Sequence, residues 1–187
     1  MLINQSYTVM SNTKRQFNIP EEVGKISQTL SHAGFENFLV GGSVRDLIME
    51  RKPKDWDLAT SATPEEIQKL FPDSFYENDF GTVGVKTRSE SEKGNLDVIE
   101  ITPYRTESEY SDARHPDKVT WAKSIEEDLA RRDFTINAMA ISINRQDFGH
   151  FIDCFSGRQD LANKKIRVLH NLSFIDDPTR ILRAIRF

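Results

Sequence analysis

The stretch that most constrains this chain runs from Phe38 to Thr60, FLVGGSVRDLIMERKPKDWDLAT. An apolar run, Phe38-Leu39-Val40, ends in a Gly pair, and the spacing predicts a helix over Ser43–Glu50. A basic turn, Arg51-Lys52-Pro53-Lys54, then leads into a second extended run carrying Asp55 and Asp57. On a strand, residues two apart share a face, so the two carboxylates are expected side by side, with Trp56 and Leu58 on the opposite face. Like charges that close repel unless a cation lies between them, and a divalent metal is the usual one. Glycines at a strand–helix turn let backbone N–H groups approach a phosphate, and Ser43 and Arg45 add a hydroxyl and a cation. Read alone, Gly41-Gly42 is first of all a tight strand–helix turn and Asp-x-Asp a polar edge strand, and it is their adjacency that raises the functional reading.

Length and composition leave room for this chemistry. A chain of 187 residues at 37% hydrophobic can bury a substantial core. The single cysteine, Cys154, rules out an intramolecular disulfide and suits a reducing compartment. No apolar run reaches the roughly 18 residues a membrane span needs. The net charge of −4 argues against a polyanion partner, but its distribution does not. Asp73–Asp112 holds ten acids against four bases, and Arg158–Phe187 seven bases against three acids. An acidic middle suits a metal and a basic end suits phosphates, although a solvated surface accounts for either equally well.

Residues 1–19 read as a disordered lead-in. A helix follows from Pro20-Glu21-Glu22, with Val23, Ile26 and Leu30 at helical spacing, and Thr63-Pro64-Glu65-Glu66 opens a second as a capping box. Three short extended runs come next: Ser74–Tyr76, Val83–Thr87 and Leu96–Thr102, with a hairpin turn expected at Ser89–Gly94. Pro103–Lys123 reads as a long flexible loop. Ser124-Ile125-Glu126-Glu127 is another capping box, Phe134–Ile143 a short helix running into a strand, and Asp160–Asn163 a short helix. Asp177 and Pro178 open a last helix, with Arg180, Arg183 and Arg186 as a basic stripe and Ile181, Leu182 and Ile185 as its buried side. The pattern predicts an α+β fold, a small, mostly antiparallel sheet covered by helices on one side.

A third carboxylate would complete a two-metal site. In Leu96–Thr102, Val98, Glu100 and Thr102 share one face and Asp97, Ile99 and Ile101 the other, so only one of Asp97 and Glu100 faces the site, and spacing leaves the choice open. Arg131-Arg132-Asp133 in an apolar neighbourhood must be paired, as a salt bridge at a helix junction or as a ligand site with Asn137. Asp177 and Arg180 are helix neighbours, and Asp177 is equally a plain N-cap. The four histidines show no zinc spacing.

Taken together, Gly41–Asp46 with Asp55-Trp56-Asp57, Arg131–Ala138 (RRDFTINA) and Asp176–Phe187 (DDPTRILRAIRF) resemble the class II tRNA nucleotidyltransferases, the CCA-adding enzymes, and their bacterial poly(A) polymerase relatives, over roughly residues 20–187. The resemblance implies a nucleotidyltransferase head domain over 20–155 and the start of an all-α neck over 156–187. It implies two Mg2+ ions on Asp55 and Asp57, with Glu100 as the third catalytic carboxylate. Gly42, Ser43 and Arg45 would meet the triphosphate; Arg132, Asp133 and Asn137 the ribose and phosphates; Asp177 and Arg180 the base edge, supported by Arg183 and Arg186. The loop 103–123 resembles the one such enzymes use in switching from C to A. The chain departs from the family in opening its base-reading motif with Asp176 in place of Glu, and in stopping at Phe187, which suggests a fragment.

The implied activity is template-independent addition of CCA, or its A, to the 3′ end of tRNA from CTP and ATP, in the cytoplasm, with no membrane partner. Poly(A) polymerase and a nucleotide-binding fragment without turnover are the alternatives. Oligomeric state is left open.

Overall fold

The computed structural model describes residues 7–10, 16–77, 80–88, 96–108, 118–144 and 146–187. The chain opens with β1 (Tyr7–Met10) and β2 (Gln16–Ile19), an antiparallel hairpin, then α1 (Glu21–His32). Next come β3 (Asn37–Val40), α2 (Gly42–Ile48), β4 (Asp57–Thr60) and α3 (Pro64–Leu70). Three strands, β5 (Ser74–Tyr76), β6 (Val83–Arg88) and β7 (Leu96–Pro103), precede a two-stranded ribbon, β8 (Arg105–Ser108) and β9 (Lys118–Trp121). The remainder is α4 (Ile125–Ala130), a 3-10 turn (Thr135–Asn137), β10 (Ala140–Ser142), β11 (Phe151–Ile152), α5 (Gly157–Ala162), α6 (Ser173–Asp176) and α7 (Thr179–Arg186).

One seven-stranded sheet, in the order β11-β10-β3-β4-β7-β6-β5, positions everything else. Its pairs are antiparallel except β4–β7, which is parallel. The four residues of β3 are all buried because the strand is central and covered on both faces. Leu39 joins a large core with Val23, Ile26 and Leu30 of α1, Val44 and Leu47 of α2, and Ile67 of α3. Phe38 and Val40 face a second, smaller core containing Tyr104 with Ile125 and Leu129 of α4. The sheet is thus helix-covered on both sides, not on one.

Local signals explain the helix ends. Thr63 Oγ1 accepts from the Glu66 N–H and the Glu66 carboxylate accepts from the Thr63 N–H at 2.8 Å, the reciprocal box read from the sequence. At α4 the box is offset: Ser124 Oγ accepts from the Glu127 N–H, but Glu127 reaches back to the N–H of Lys123.

Two other expectations change. The lead-in reading fails where residues are described: Gln16–Ile19 is a strand, and Phe17 and Ile19 are buried in the large core. Apolar residues two apart point one way from a strand, which is why both reach the core. The ends of the 103–123 loop form the β8–β9 ribbon, where Thr106 opposes Thr120 and their hydroxyls lie 2.9 Å apart. Residues 109–117 and the expected turn at Ser89–Gly94 lie outside the described residues.

Candidate nucleotide-binding cleft

A cleft of about 1160 Å³ opens where β3 turns into α2. Every residue expected in a site lines it except Ser43 and Glu100. The lining carries ten Arg and Lys residues against five Asp, so a chain that is acidic overall presents a cationic cleft. That balance suits a polyanionic ligand.

The strand–helix turn is built for close approach. Gly41 has φ +68°, and a Cβ on it would lie 3.1 Å from Arg132 Nη1 and 3.6 Å from Asp57 Oδ2. Backbone, guanidinium and carboxylate therefore converge at one point. Ser43 is a correction: its side chain is buried and its hydroxyl donates to the Val40 carbonyl at 2.8 Å, closing the turn and keeping that hydroxyl out of the cleft. Arg45 does face the cleft. Its Nε and Nη2 donate to Asp46 Oδ1 and its Nη1 to Asn137 Oδ1 at 2.8 Å.

The carboxylates also differ from expectation in detail. Asp57 starts β4, but Asp55 lies in the bend before it, so the strand periodicity does not govern the pair. Of the two acids on β7, the structure shows the face on which Glu100 stands. Ile99 and Ile101 are buried in the large core, so Glu100 stands on the opposite face, directly beside Asp57 in the parallel register. Burial raises the Asp57 pKa; the Arg132 charge opposes this, and Asp55 adds to it. The Glu100 pKa is raised by loss of solvent and by the charges of Asp57, Glu77 and Asp55. Among the described residues no three His, Cys, Asp or Glu side chains converge into a complete ligand set. What is present is Asp57 and Glu100 opposite each other on neighbouring strands, with Asp55 in the bend just before, which are oxygen donors of the kind a divalent cation takes.

Behind the turn sits a residue that sequence reasoning passed over. Asp128 of α4 is fully buried. Its Oδ1 accepts from Arg131 Nε and Nη2 and from the Arg105 N–H, and its Oδ2 accepts from Arg132 Nη2 at 2.9 Å. Burial works to raise the Asp128 pKa, but the Arg132 and Arg131 charges overcome it and hold the carboxyl below its ordinary range. The signal was available: Asp128 stands three and four residues before the arginines, which is helix-neighbour spacing.

The 3-10 turn that carries Asn137 is fixed from below. Asp160 of α5 is buried, accepts from the Thr135 hydroxyl at 2.7 Å and pairs with Arg167. Gly157 packs so close that a Cβ would lie 2.1 Å from the Thr135 carbonyl oxygen.

Helix α7 forms the far wall, with the opposite face inward from the one expected. Arg180 is only 6% exposed, whereas Ile181, Leu182 and Ile185 are 49%, 71% and 79% exposed. Carboxylates and a hydroxyl draw the arginine face in: Arg180 Nη1 donates to Ser173 Oγ with its Nε 3.6 Å from Asp177, and Arg183 pairs with Asp133. The Asp177 carboxylate, two residues before the helix, accepts from the Thr179 N–H and hydroxyl. Arg186 lines the same wall, and the Phe187 ring lies 4.9 Å from the Arg45 guanidinium carbon. Arg105 and Phe187 line the cleft without having been expected there.

Known proteins resemble this arrangement closely. The poly A polymerase head domain family matches residues 37–167. A CCA-adding enzyme of Lactobacillus helveticus is 46% identical over 165 residues, covering 87% of this chain and 39% of that protein. One from Leuconostoc citreum is 44% identical over 174 residues, covering 90% of this chain and 41% of the relative. The chain thus spans about two fifths of the length of these curated relatives. Among solved structures, the Bacillus stearothermophilus CCA-adding enzyme in complex with CTP superposes with a TM-score of 0.73 at 36% identity, covering 89% of this chain and 38% of that one. A tRNA nucleotidyltransferase complexed with a primer tRNA and an incoming ATP analog superposes at 0.66 with 38% identity, covering 87% and 44%. Among the described residues, no helix is long and apolar enough to cross a membrane.

Proposed function

Because the chain belongs to the poly A polymerase head domain family, we propose that it is the catalytic head of a template-independent RNA nucleotidyltransferase that adds CCA, or its A, to the 3′ end of tRNA. CTP and ATP are the donors, and the reaction joins the RNA 3′-hydroxyl to the nucleotide α-phosphate with loss of pyrophosphate. The observation that carries this reading is the meeting of Asp57, Arg132 and the Gly41 turn at one point of a cationic cleft, with Glu100 in register beside Asp57.

The residues divide the work. Asp55 and Asp57, with Glu100 beside them, would hold two Mg2+ ions. When bound, these supply Lewis-acid activation of the attacking hydroxyl and neutralisation of the leaving group's charge. The Gly41-Gly42 turn brings backbone against the triphosphate, and Arg45 and Arg132 neutralise it. Asn137, fixed by Arg45 and Asp133, lies within the ribose and phosphate region. Arg180, held by Ser173 and Asp177, presents a guanidinium to the base edge. No protein nucleophile is required, because the chemistry rests on positioning and charge neutralisation. A cytoplasmic setting accords with a single exposed thiol, Cys154.

The test supplies a tRNA trimmed of its 3′ end with CTP and ATP, separately and together. Ordered C, C, A addition supports the reading, ATP-only tailing points to poly(A) synthesis, and nucleotide binding without incorporation points to a binding fragment. Asp57→Ala is expected to abolish Mg2+-dependent incorporation while the circular dichroism spectrum is unchanged. Retained incorporation in that variant would overturn the metal assignment.

A further inference from the structure

Glu100 stands in a row of residues that lies outside the cleft lining. Gly84 of β6 is its partner across the sheet, and Phe75 of β5 is the partner of Gly84. Directly opposed residues share a face, so these three positions lie side by side at steps of about 4.8 Å. Glycine at 84 makes room for the Phe75 ring. A Cβ there would lie 2.8 Å from Phe75 Cζ, 3.0 Å from Val98 Cγ1 and 3.1 Å from Glu77 Oε2. Lys86, two residues along β6 on the same face, brings its Nζ to 5.4 Å from the centroid of that ring.

This end of the sheet face is open among the described residues. On the core face of the same strands, Ile67 of α3 packs with Val83, Val85, Ile99 and Ile101. On the Glu100 face, Ile125 and Leu129 of α4 cover the part around Phe38, Val40 and Tyr104. Beyond it Val98 is 43% exposed, and Glu77, Lys86 and Glu100 are exposed. Phe75 and Val98 thus form a small apolar shelf beside Glu100, rimmed by one cation and one further carboxylate.

The sheet order says what can occupy the shelf. Along β3-β4-β7-β6-β5, the glycine turn follows β3 and Glu100 lies two strands on. The triphosphate belongs on the side of the turn, with Arg45 and Arg132. A second reactant therefore reaches the carboxylates from the β6–β5 side and crosses the shelf. Unpaired RNA ends are held by stacking their bases on aromatic rings and by placing cations at their phosphates. Charge sets the direction: Glu77 and Glu100 repel a phosphate, so the backbone runs along Lys86 and the base lies inward on Phe75. A carboxylate at the position of Glu77 accepts from the exocyclic amino group of a cytosine.

We propose that the open face of β5, β6 and β7 seats the RNA 3′ end: Phe75 stacks the last base and Lys86 meets its phosphate, which holds the 3′-hydroxyl beside Glu100. This rests on the reading of the cleft as a nucleotidyltransferase centre and assigns residues to its second substrate.

The experiment titrates wild type, Phe75→Ala, Phe75→Tyr and Lys86→Gln with a labelled single-stranded oligoribonucleotide ending in CC, followed by fluorescence anisotropy, and with CTP, followed by calorimetry. Loss of one stacked base should weaken RNA binding by on the order of tenfold in Phe75→Ala. Phe75→Tyr keeps a ring and should bind RNA as wild type does. Lys86→Gln should weaken RNA binding and lower its salt slope by about one. CTP affinity should be unchanged in all three. Unchanged RNA affinity in Phe75→Ala, or an unchanged salt slope in Lys86→Gln, overturns the proposal. A loss in Phe75→Tyr as large as in Phe75→Ala, or equal losses for RNA and CTP, marks a folding effect and overturns it too. If wild type binds CTP but not the oligonucleotide, the proposal fails and the nucleotide reading stands. If it binds RNA through Phe75 and no CTP, the shelf stands and the nucleotide reading fails.

Discussion

Replacing Asp128 with Asn tests whether one buried carboxylate holds the arginine side of the cleft together. The substitution keeps the shape and removes the charge. Asp128 has no exposed surface, and its two oxygens accept three guanidinium N–H groups and one backbone N–H. Asn offers one acceptor and points an NH2 at donors on its other side. Removing one partner of a buried charge pair costs about 3–5 kcal/mol, because the partner's charge is left uncompensated. Arg131 and Arg132 keep 14% and 16% exposure, so water makes up part of the loss. We therefore expect the lower end, about 3 kcal/mol. Urea unfolding at pH 7, compared with wild type, measures it. Acid supplies a second check. Because the folded pKa is depressed, the contribution of the charge is complete above the ordinary Asp value of about 3.9 and is lost as pH falls through the folded value. The stability gap between wild type and Asp128→Asn should hold steady from pH 7 to about 5 and narrow below about 4. A loss under about 1 kcal/mol at pH 7, or a gap that narrows already near neutrality, would refute this reasoning.

Gly157→Ala places a methyl 2.1 Å from the Thr135 carbonyl oxygen and 2.8 Å from its carbon. Neither neighbour is a flexible side chain, so α5 must move, at a cost of about 3 kcal/mol and a melting midpoint lower by roughly 6–12 °C in differential scanning calorimetry. Gly81→Ala acts on the ribbon instead. A Cβ there would lie 2.6 Å from Trp121 Cη2, and φ is +87°. With Trp56 replaced by Phe, the emission of Trp121 should shift to the red as its ring is pushed off Gly81; an unchanged spectrum would show that the ring does not rest there.

Elements whose reasons are local were legible in the sequence. The capping box at Thr63 and the α1 stripe through Val23, Ile26 and Leu30 form as read, since the bonds involved span a few residues. The two arginine motifs and the aspartate pair do meet in one cleft. What the sequence left open, or led astray, depended on distant partners. Both faces of Leu96–Thr102 carry apolar residues, so only the pairing with β4 separates Glu100 from Asp97. The face of α7 was misjudged because hydrophobic spacing points Ile181, Leu182 and Ile185 inward, whereas Asp133, far back in the chain, draws Arg183 in. The β8–β9 ribbon escaped notice because each of its short strands is polar and gains its bonds only from the other.

The parallel pairing of β4 with β7 has a consequence for how the chain acquires its chemistry. A parallel neighbour cannot be reached by a tight turn, so α3, β5 and β6 intervene between Asp57 and Glu100. The ends of that long excursion must be brought together, at an entropic cost, before the β4–β7 contacts return any free energy. Topology therefore predicts that the two carboxylates become neighbours after α3 and the β5–β6 and β6–β7 pairings, whose contacts close shorter stretches of chain. A chain in which β4 and β7 have not yet paired holds the glycine turn and Asp57 without Glu100 beside them, and that juxtaposition arrives with the closing of the sheet.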